Sequence, residues 1–291
     1  MEVTLLGTGD TTGTPTVGCD CDTCERARDP DAELRDRLRE RGIDPSDGVE
    51  RSRFSVHLRN DETDEVLLID TSPDFRSQFR RENVALPDAA IITHVHFDHV
   101  DGLGNAYRLL DHLPVHAADE TDSQTGQSVA ETVRDQYDYL DTVSVHPKSP
   151  YEPFSVAGFE VTLVPVEHPP LVCYGLRVEE PATGATLSIS GDTCYEIPDR
   201  SREVLTGADL ALVEGIVHPG ACEFHPKGGT HHDDEGVPRT FGTKHMTLPG
   251  ARDFAADVEA DDYRILHTAH YVPPEQAFAD DIAVDGERFS L

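Results

Sequence analysis

The sequence predicts a layered α/β fold, and two observations carry the prediction. Short apolar, strand-like runs alternate with helical stretches along the whole chain, with no repeat and no low-complexity linker, and several of those runs end in a histidine or an aspartate. The chain has 291 residues, enough to bury a substantial core, and sandwiches of this size often form one domain. Residues 1–291 are therefore read as a single domain.

The elements follow in order. Residues 2–6 read as a first strand, ended by Gly7-Thr8-Gly9. The loop to Pro15 leads into Cys19-Asp20-Cys21-Asp22-Thr23-Cys24, and residues 31–41 form a highly charged, exposed helix or lid-like segment. Residues 54–58 and 66–69 are strands around a turn at Asn60-Asp61-Glu62. Ser72-Pro73 supplies the N-cap and first position of a helix with Phe75 and Phe79 on one face. Residues 89–92 form a buried strand, 103–110 a helix and 114–117 a strand, while 120–141 is polar and amphipathic at best. In the second half, 159–166, 175–178, 186–190 and 210–213 are strands. Residues 219–242 read as a loop, Thr247-Leu248-Pro249 starts a helix to about residue 258, and 263–267 is the closing strand.

Charge narrows the setting. There are 56 Asp plus Glu against 24 Lys plus Arg, a formal charge of −32, and lysine occurs only as Lys148, Lys227 and Lys244. Such self-repulsion favours solubility and resists compaction at low salt, a lever halophiles use. The acidic residues are dispersed among apolar runs instead of gathered in a tail, which favours a folded, halophilic, cytoplasmic protein over a disordered chain. No positive-then-apolar stretch opens the sequence, and no run approaches the roughly 18 apolar residues of a membrane span. Membrane insertion and export by that route are not expected.

The stretch Thr93-His94-Val95-His96-Phe97-Asp98-His99 stands directly behind Ala89-Ala90-Ile91-Ile92. If strand geometry persists, His94 and His96 point to one side, with Asp98 and His99 on the following turn. Imidazole and carboxylate together suit Zn, Mn or Fe, and this many donors exceeds what one tetrahedral ion takes from a single segment, so two adjacent metals are expected over a solvated His-rich turn. His168, Asp192 and His267 each end another apolar strand, where ligands are rigidly mounted. Each alone is a weak signal, and their joint occurrence with the His94 cluster gives them weight. Of six cysteines, Cys19, Cys21 and Cys24 are spaced as metal ligands, with a Cys-rich turn lacking metal as the alternative. A zinc there needs a fourth ligand from elsewhere. Cys173, Cys194 and Cys222 have no spacing partner and are expected as buried small hydrophobes.

Asp70, His94-x-His96-x-Asp98-His99, His168, Asp192 and His267, in that order, resemble the metallo-β-lactamase superfamily over nearly the whole chain. More narrowly, the Gly18–Cys24 cluster and His267-Thr268-Ala269-His270 resemble the cyclic phosphodiesterases of phosphonate breakdown, which act on phosphoribosyl 1,2-cyclic phosphate. A pyrroloquinoline quinone biosynthesis protein of the superfamily carries a similar cysteine cluster. The resemblance implies an αββα sandwich, two mixed sheets packed between outer helices, with the site at one edge. It implies two divalent ions, Zn or Mn: one on His94, His96 and His168, the other on Asp98, His99 and His267, with Asp192 bridging. A hydroxide between them would be the nucleophile. It also implies a structural zinc on Cys19, Cys21, Cys24 and His270. His245, in Lys244-His245-Met246-Thr247, precedes a helix start and resembles the family's general acid, with an ordinary loop histidine as the alternative. Asp70 is expected to orient the cluster.

Residues 218–242, with His225, His231 and His232, look longer than the family core needs, and are read as a lid, an intersubunit contact or a flexible loop. His57, His112, His116 and His146 are read as surface or packing residues. The leading function is hydrolysis of a small cyclic or nucleotide-like phosphodiester. A ribonuclease Z-like endonuclease is the second reading, and the lack of a basic stripe argues against a nucleic-acid partner. A non-catalytic cofactor-biosynthesis binding protein is the third, opposed by the complete ligand set. A thioester or lactam hydrolase also stays open, since fold and metals do not select the scissile bond. A small molecule is the expected partner, and a homodimer is left open.

Overall fold

The structure is a computed structural model that describes residues 1–291. Its strands form two large sheets and one small one. Across the first sheet the order is Arg288–Ser290, Glu2–Gly7, Ser55–Arg59, Val66–Ile69, Ala89–Ile92, Leu113–Ala118 and Val143–Lys148. The first three pairings are antiparallel and the last three parallel. The second sheet runs Asp262–Leu266, Leu210–Glu214, Ala185–Ile189, Cys173–Glu180, Phe159–Val166 and Phe154–Val156, parallel over its first two pairings and antiparallel thereafter. Both sheets are mixed, as expected.

Strand alternation sets the layers. Val161, Leu163, Leu176, Val178, Leu187 and Leu212 of the second sheet join a core shared with the first sheet. Their neighbours Val164, Val166, Ala211, Val213 and Ile265 face the other way, into a second core closed by the helices Asp22–Arg28, Ala32–Glu40 and Leu248–Asp257 through Ala27, Leu34, Leu38 and Phe254. On the first sheet, the helices Phe75–Glu82 and Val129–Gln136 contribute Phe75, Phe79, Val129 and Val133 to the shared core. The result is the αββα arrangement.

Several local expectations are corrected. The helix expected from Ser72 begins at Phe75, because the Ser72 hydroxyl accepts from the Asp74 N–H and donates to Gln78 instead of capping a turn. Residues 103–110 are not an α-helix: a 3-10 turn, Asp101–Ala106, replaces it, and Gly102 packs so tightly that a Cβ would lie 2.1 Å from the Ser72 carbonyl oxygen. The polar stretch 120–141 contains the helix Val129–Gln136, started by a capping box in which Ser128 and Glu131 satisfy each other's backbone N–H groups. Residues 219–242 are structured too. A 3-10 turn, Pro219–Phe224, leads into Gly229–His232 and Pro238–Phe241, which pair with His245–Met246 as a three-stranded antiparallel sheet.

Candidate metal centre

Loops at one rim of the stacked sheets carry the predicted ligands. The strand Ala89–Ile92 ends one residue before Thr93, and the chain stays extended until a single helical turn, Phe97–Val100, sets Asp98 and His99 facing back toward His94. His94 and His96 do share a side, their rings 4.8 Å apart. Asp192 follows Gly191, whose φ of +65° turns the chain where a Cβ would lie 2.6 Å from the Tyr174 carbonyl oxygen. His267 itself adopts φ +59°, held by its N–H donating to the Thr8 carbonyl at 2.7 Å.

The seven predicted ligands converge. One group is His94, His96 and His168, a second is Asp98, His99 and His267, and the ligating atoms within each lie within 4.8 Å of one another. Asp192 stands between the groups: one carboxylate oxygen is 3.8 Å from His94 Nε2, 3.5 Å from His99 Nε2 and 3.3 Å from His267 Nε2. Asp70 is fully buried, and its oxygens accept from the Thr93 N–H and hydroxyl and hydrogen-bond His99 Nδ1 at 2.7 Å. With its acceptors thus occupied, Asp70 orients His99 so that Nε2 faces the cluster. Thr11, which the sequence did not single out, donates its hydroxyl to Asp98 at 2.9 Å.

The donor set fits divalent metal ions. His99 Nε2 and both ring nitrogens of His168 and His267 are buried without a hydrogen-bond partner in the protein, a costly arrangement unless something else satisfies them. Burial alone would raise the carboxyls of Asp98 and Asp192, but the imidazoles of His267 and His99 outweigh it and hold both below the usual range. Burial pushes His168 down to about 3. Two ionised carboxylates among imidazoles kept neutral or tied to carboxylates are a cation site by chemistry.

Beside it lies His245, its ring 4.8 Å from that of His168 and 5.5 Å from that of His267. His245 Nδ1 is 3.3 Å from Oε1 of Glu214, in a geometry too oblique for a hydrogen bond. Glu214 is fully buried, accepts from the N–H groups of Thr193 and Met246 through Oε1, and leaves Oε2 unpartnered. Glu214 was missed from sequence, although it ends the strand Leu210–Glu214 just as the ligands end theirs.

The four residues expected to hold a structural zinc stand close together. The sulfurs of Cys19, Cys21 and Cys24 and a ring nitrogen of His270 all lie within 4.8 Å of one another, with His270 Nδ1 3.3 Å from Cys19 Sγ and 3.5 Å from Cys21 Sγ. Cys21 occupies the N-cap position of the helix Asp22–Arg28, and although burial raises its thiol, the Cys24 backbone and the His270 imidazole bring it down to about 7. Cys173, Cys194 and Cys222 are buried as small apolar residues. His57 packs edge-on against Phe79, and His116 stacks between His146 and Phe154.

Two mixed sheets stacked face to face, with imidazoles and carboxylates supplied by the loops at one rim, define the metallo-β-lactamase class of metal-dependent hydrolases. The chain belongs to the β-lactamase superfamily, whose domain description matches residues 66–268, more than half of it. Among solved structures it is similar to a diphosphatase from the PhnP family, at 26% identity and a TM-score of 0.71, covering 100% of this chain and 97% of that one. The Zn(2+)-bound PqqB of Methylobacterium extorquens shares the fold at 21% identity and a TM-score of 0.72, with 100% of both chains covered. Human short-form tRNase Z does so at 17% identity and a TM-score of 0.63, covering 100% of this chain and 99% of that one. A curated relative, an octanoyltransferase of Porphyromonas gingivalis, is 26% identical over 287 residues, 95% of this chain but 47% of that protein. The chain thus spans about half the length of the curated relative it matches. No helix is long and apolar enough to cross a membrane.

Proposed function

We propose that this protein is a single-domain, cytoplasmic phosphodiesterase that hydrolyses a small cyclic or nucleotide-like phosphodiester, of which phosphoribosyl cyclic phosphate is the type. The observation that carries the reading is the juxtaposition of a seven-ligand cluster containing unpartnered buried imidazole nitrogens with the His245–Glu214 pair on its flank. The likeness to a PhnP-family diphosphatase supports chemistry at a phosphate. His94, His96 and His168 would hold one divalent ion and Asp98, His99 and His267 the other, with Asp192 shared between them. Zn or Mn, when bound, supplies Lewis acidity toward phosphoryl oxygens and lowers the pKa of coordinated water.

The chain's own part in the reaction is orientation and proton delivery. Asp70 fixes the His99 ring, and Thr11 fixes the Asp98 carboxylate. His245 presents Nδ1 to Glu214, so Nε2 is the nitrogen free to give a proton. Water contributes oxygen to phosphorus, the bond from phosphorus to the ester oxygen breaks, and that oxygen leaves as an alcohol with the proton from His245, which a proton released by the water replaces. Cys19, Cys21, Cys24 and His270 would bind a structural zinc tying the two ends of the chain together.

The test is a panel in molar salt with added Zn or Mn: cyclic ribose phosphates, bis(p-nitrophenyl) phosphate, a precursor RNA and a thioester. Turnover of the small diesters, abolished in Asp192→Ala and His96→Ala, is expected. Turnover of RNA or thioester alone would replace this reading with the corresponding one.

A further inference from the structure

Among the imidazoles of the metal centre, His168 is aimed in its own way. A ligand imidazole is ordinarily oriented by a hydrogen bond at the ring nitrogen that faces away from the metal. His99 Nδ1 has Asp70 at 2.7 Å, and His94 Nδ1 lies 3.1 Å from the Thr93 hydroxyl. Neither ring nitrogen of His168 has a hydrogen-bond partner in the protein. Its ring is therefore directed by the backbone that carries it. That backbone leaves the strand Phe159–Val166 and runs through Glu167 toward the exposed Pro169 and Pro170, so the strand ladder ends before it reaches His168.

Thr193, fully buried and next in the chain after Asp192, takes over where the ladder stops. Its hydroxyl accepts from the Glu167 N–H at 3.0 Å and donates to the Cys194 carbonyl at 3.0 Å, while the Glu167 carbonyl accepts from the Cys194 N–H at 2.9 Å. The residue before His168 is thus gripped at both its N–H and its carbonyl by the two residues that follow Asp192. The Thr193 N–H donates to Glu214 Oε1 at 3.1 Å, the oxygen that also accepts from Met246 beside His245. These grips are separable. The N–H is backbone and survives a change of side chain, so Asp192 stays anchored toward Glu214. Of the two bonds that join the Asp192 loop to the strand end carrying His168, only the one to the Thr193 hydroxyl depends on a side chain. Valine would keep the shape of threonine and leave the Glu167 N–H without its acceptor.

We propose that Thr193 is a positioning residue whose hydroxyl sets the spacing between His168 and Asp192, and with it the affinity for the divalent ion that His94, His96 and His168 would hold. The proposal rests on the two-ion reading of the His/Asp cluster. Its probe is Mn2+, for which carboxylate is a better ligand than thiolate, titrated by calorimetry into protein freed of ions at that cluster. The binding step lost in His168→Ala identifies the ion on His94, His96 and His168. In Thr193→Val that step should weaken about 10- to 100-fold, the other step by less than about threefold, and Thr193→Ser should restore most of the loss. Adding Thr193→Val to His168→Ala should leave the surviving step unchanged, because the residue acts through His168. The melting temperature without Mn2+ confirms that each variant is folded. Equal weakening of both steps, or two unchanged steps beside a lowered melting temperature, would overturn the proposal and leave Thr193 a packing residue. Fewer than two steps in the wild type would overturn the two-ion reading and this proposal with it, whereas two wild-type steps insensitive to Thr193→Val would overturn this proposal alone.

Discussion

Glu214→Gln and His245→Ala, made singly and together, test the proton-delivery scheme most directly. Gln at position 214 keeps an acceptor for the Thr193 and Met246 N–H groups but removes the ionisable carboxyl whose Oε1 lies 3.3 Å from His245 Nδ1. An ionised carboxylate at that distance would support the imidazolium by charge alone, without a hydrogen bond, so its loss should slow turnover by about 10-fold. Loss of the general acid in His245→Ala should cost about 10²- to 10⁴-fold on an ester with a poor leaving group, and far less when p-nitrophenolate leaves unprotonated. Since Glu214 would act through His245, the double variant should be no slower than His245→Ala. The assay is kcat on an alkyl and a p-nitrophenyl diester for all four proteins. Losses that add to within about 0.5 kcal/mol would refute the coupling. An unchanged kcat in Glu214→Gln would show instead that the carboxyl is neutral, the direction in which burial and Asp192 push it.

Three further outcomes are expected. Cys21→Ser should lose one zinc equivalent by elemental analysis and drop the melting temperature by on the order of 10 °C while the His/Asp metals are retained, and the reverse pattern of metal loss would contradict the assignment. Burial, helped by Lys148 and His146, pushes His116 down to about 4 from 6.5; between those values the unfolded chain binds a proton the folded one refuses, so stability falls as pH drops through that window and is unaffected above it. His116→Phe, which keeps the stack on Phe154, should recover roughly 1–2 kcal/mol of that loss after solvent screening, read as a shallower decline of melting temperature from pH 7 to 4.5. Finally, with metal in excess, melting temperature and activity should climb together from 0.1 to 1 M salt as the Debye length shrinks from about 10 to about 3 Å, and a flat melting temperature would sink the halophile reading.

The sequence by itself determined what depends on near neighbours. The His94–His99 cluster lies within one strand end and one helical turn, so the period-two spacing and the residue types were enough to mark it. The strands that carry His168, Asp192 and His267 were legible from their apolar runs. Dispersed charge could be read in the same way. Tertiary structure alone decided whatever depends on which segment lies beside which. Glu214 matters because the parallel register places it opposite Leu266, next to His267, and nothing within its own strand reports that pairing. His270 reaches the cysteines because Gly9 bridges to Thr268, a contact across most of the chain. The polar segment 219–242 looked like a loop because its strands are held by pairing with each other and with His245–Met246 and bury little apolar surface, so no hydrophobic period announces them. Local periodicity records burial against a core, whereas His245 owes its place to a short hairpin in which Phe241 and Thr240 pair with His245 and Met246, and strands this short and only partly buried leave no such trace.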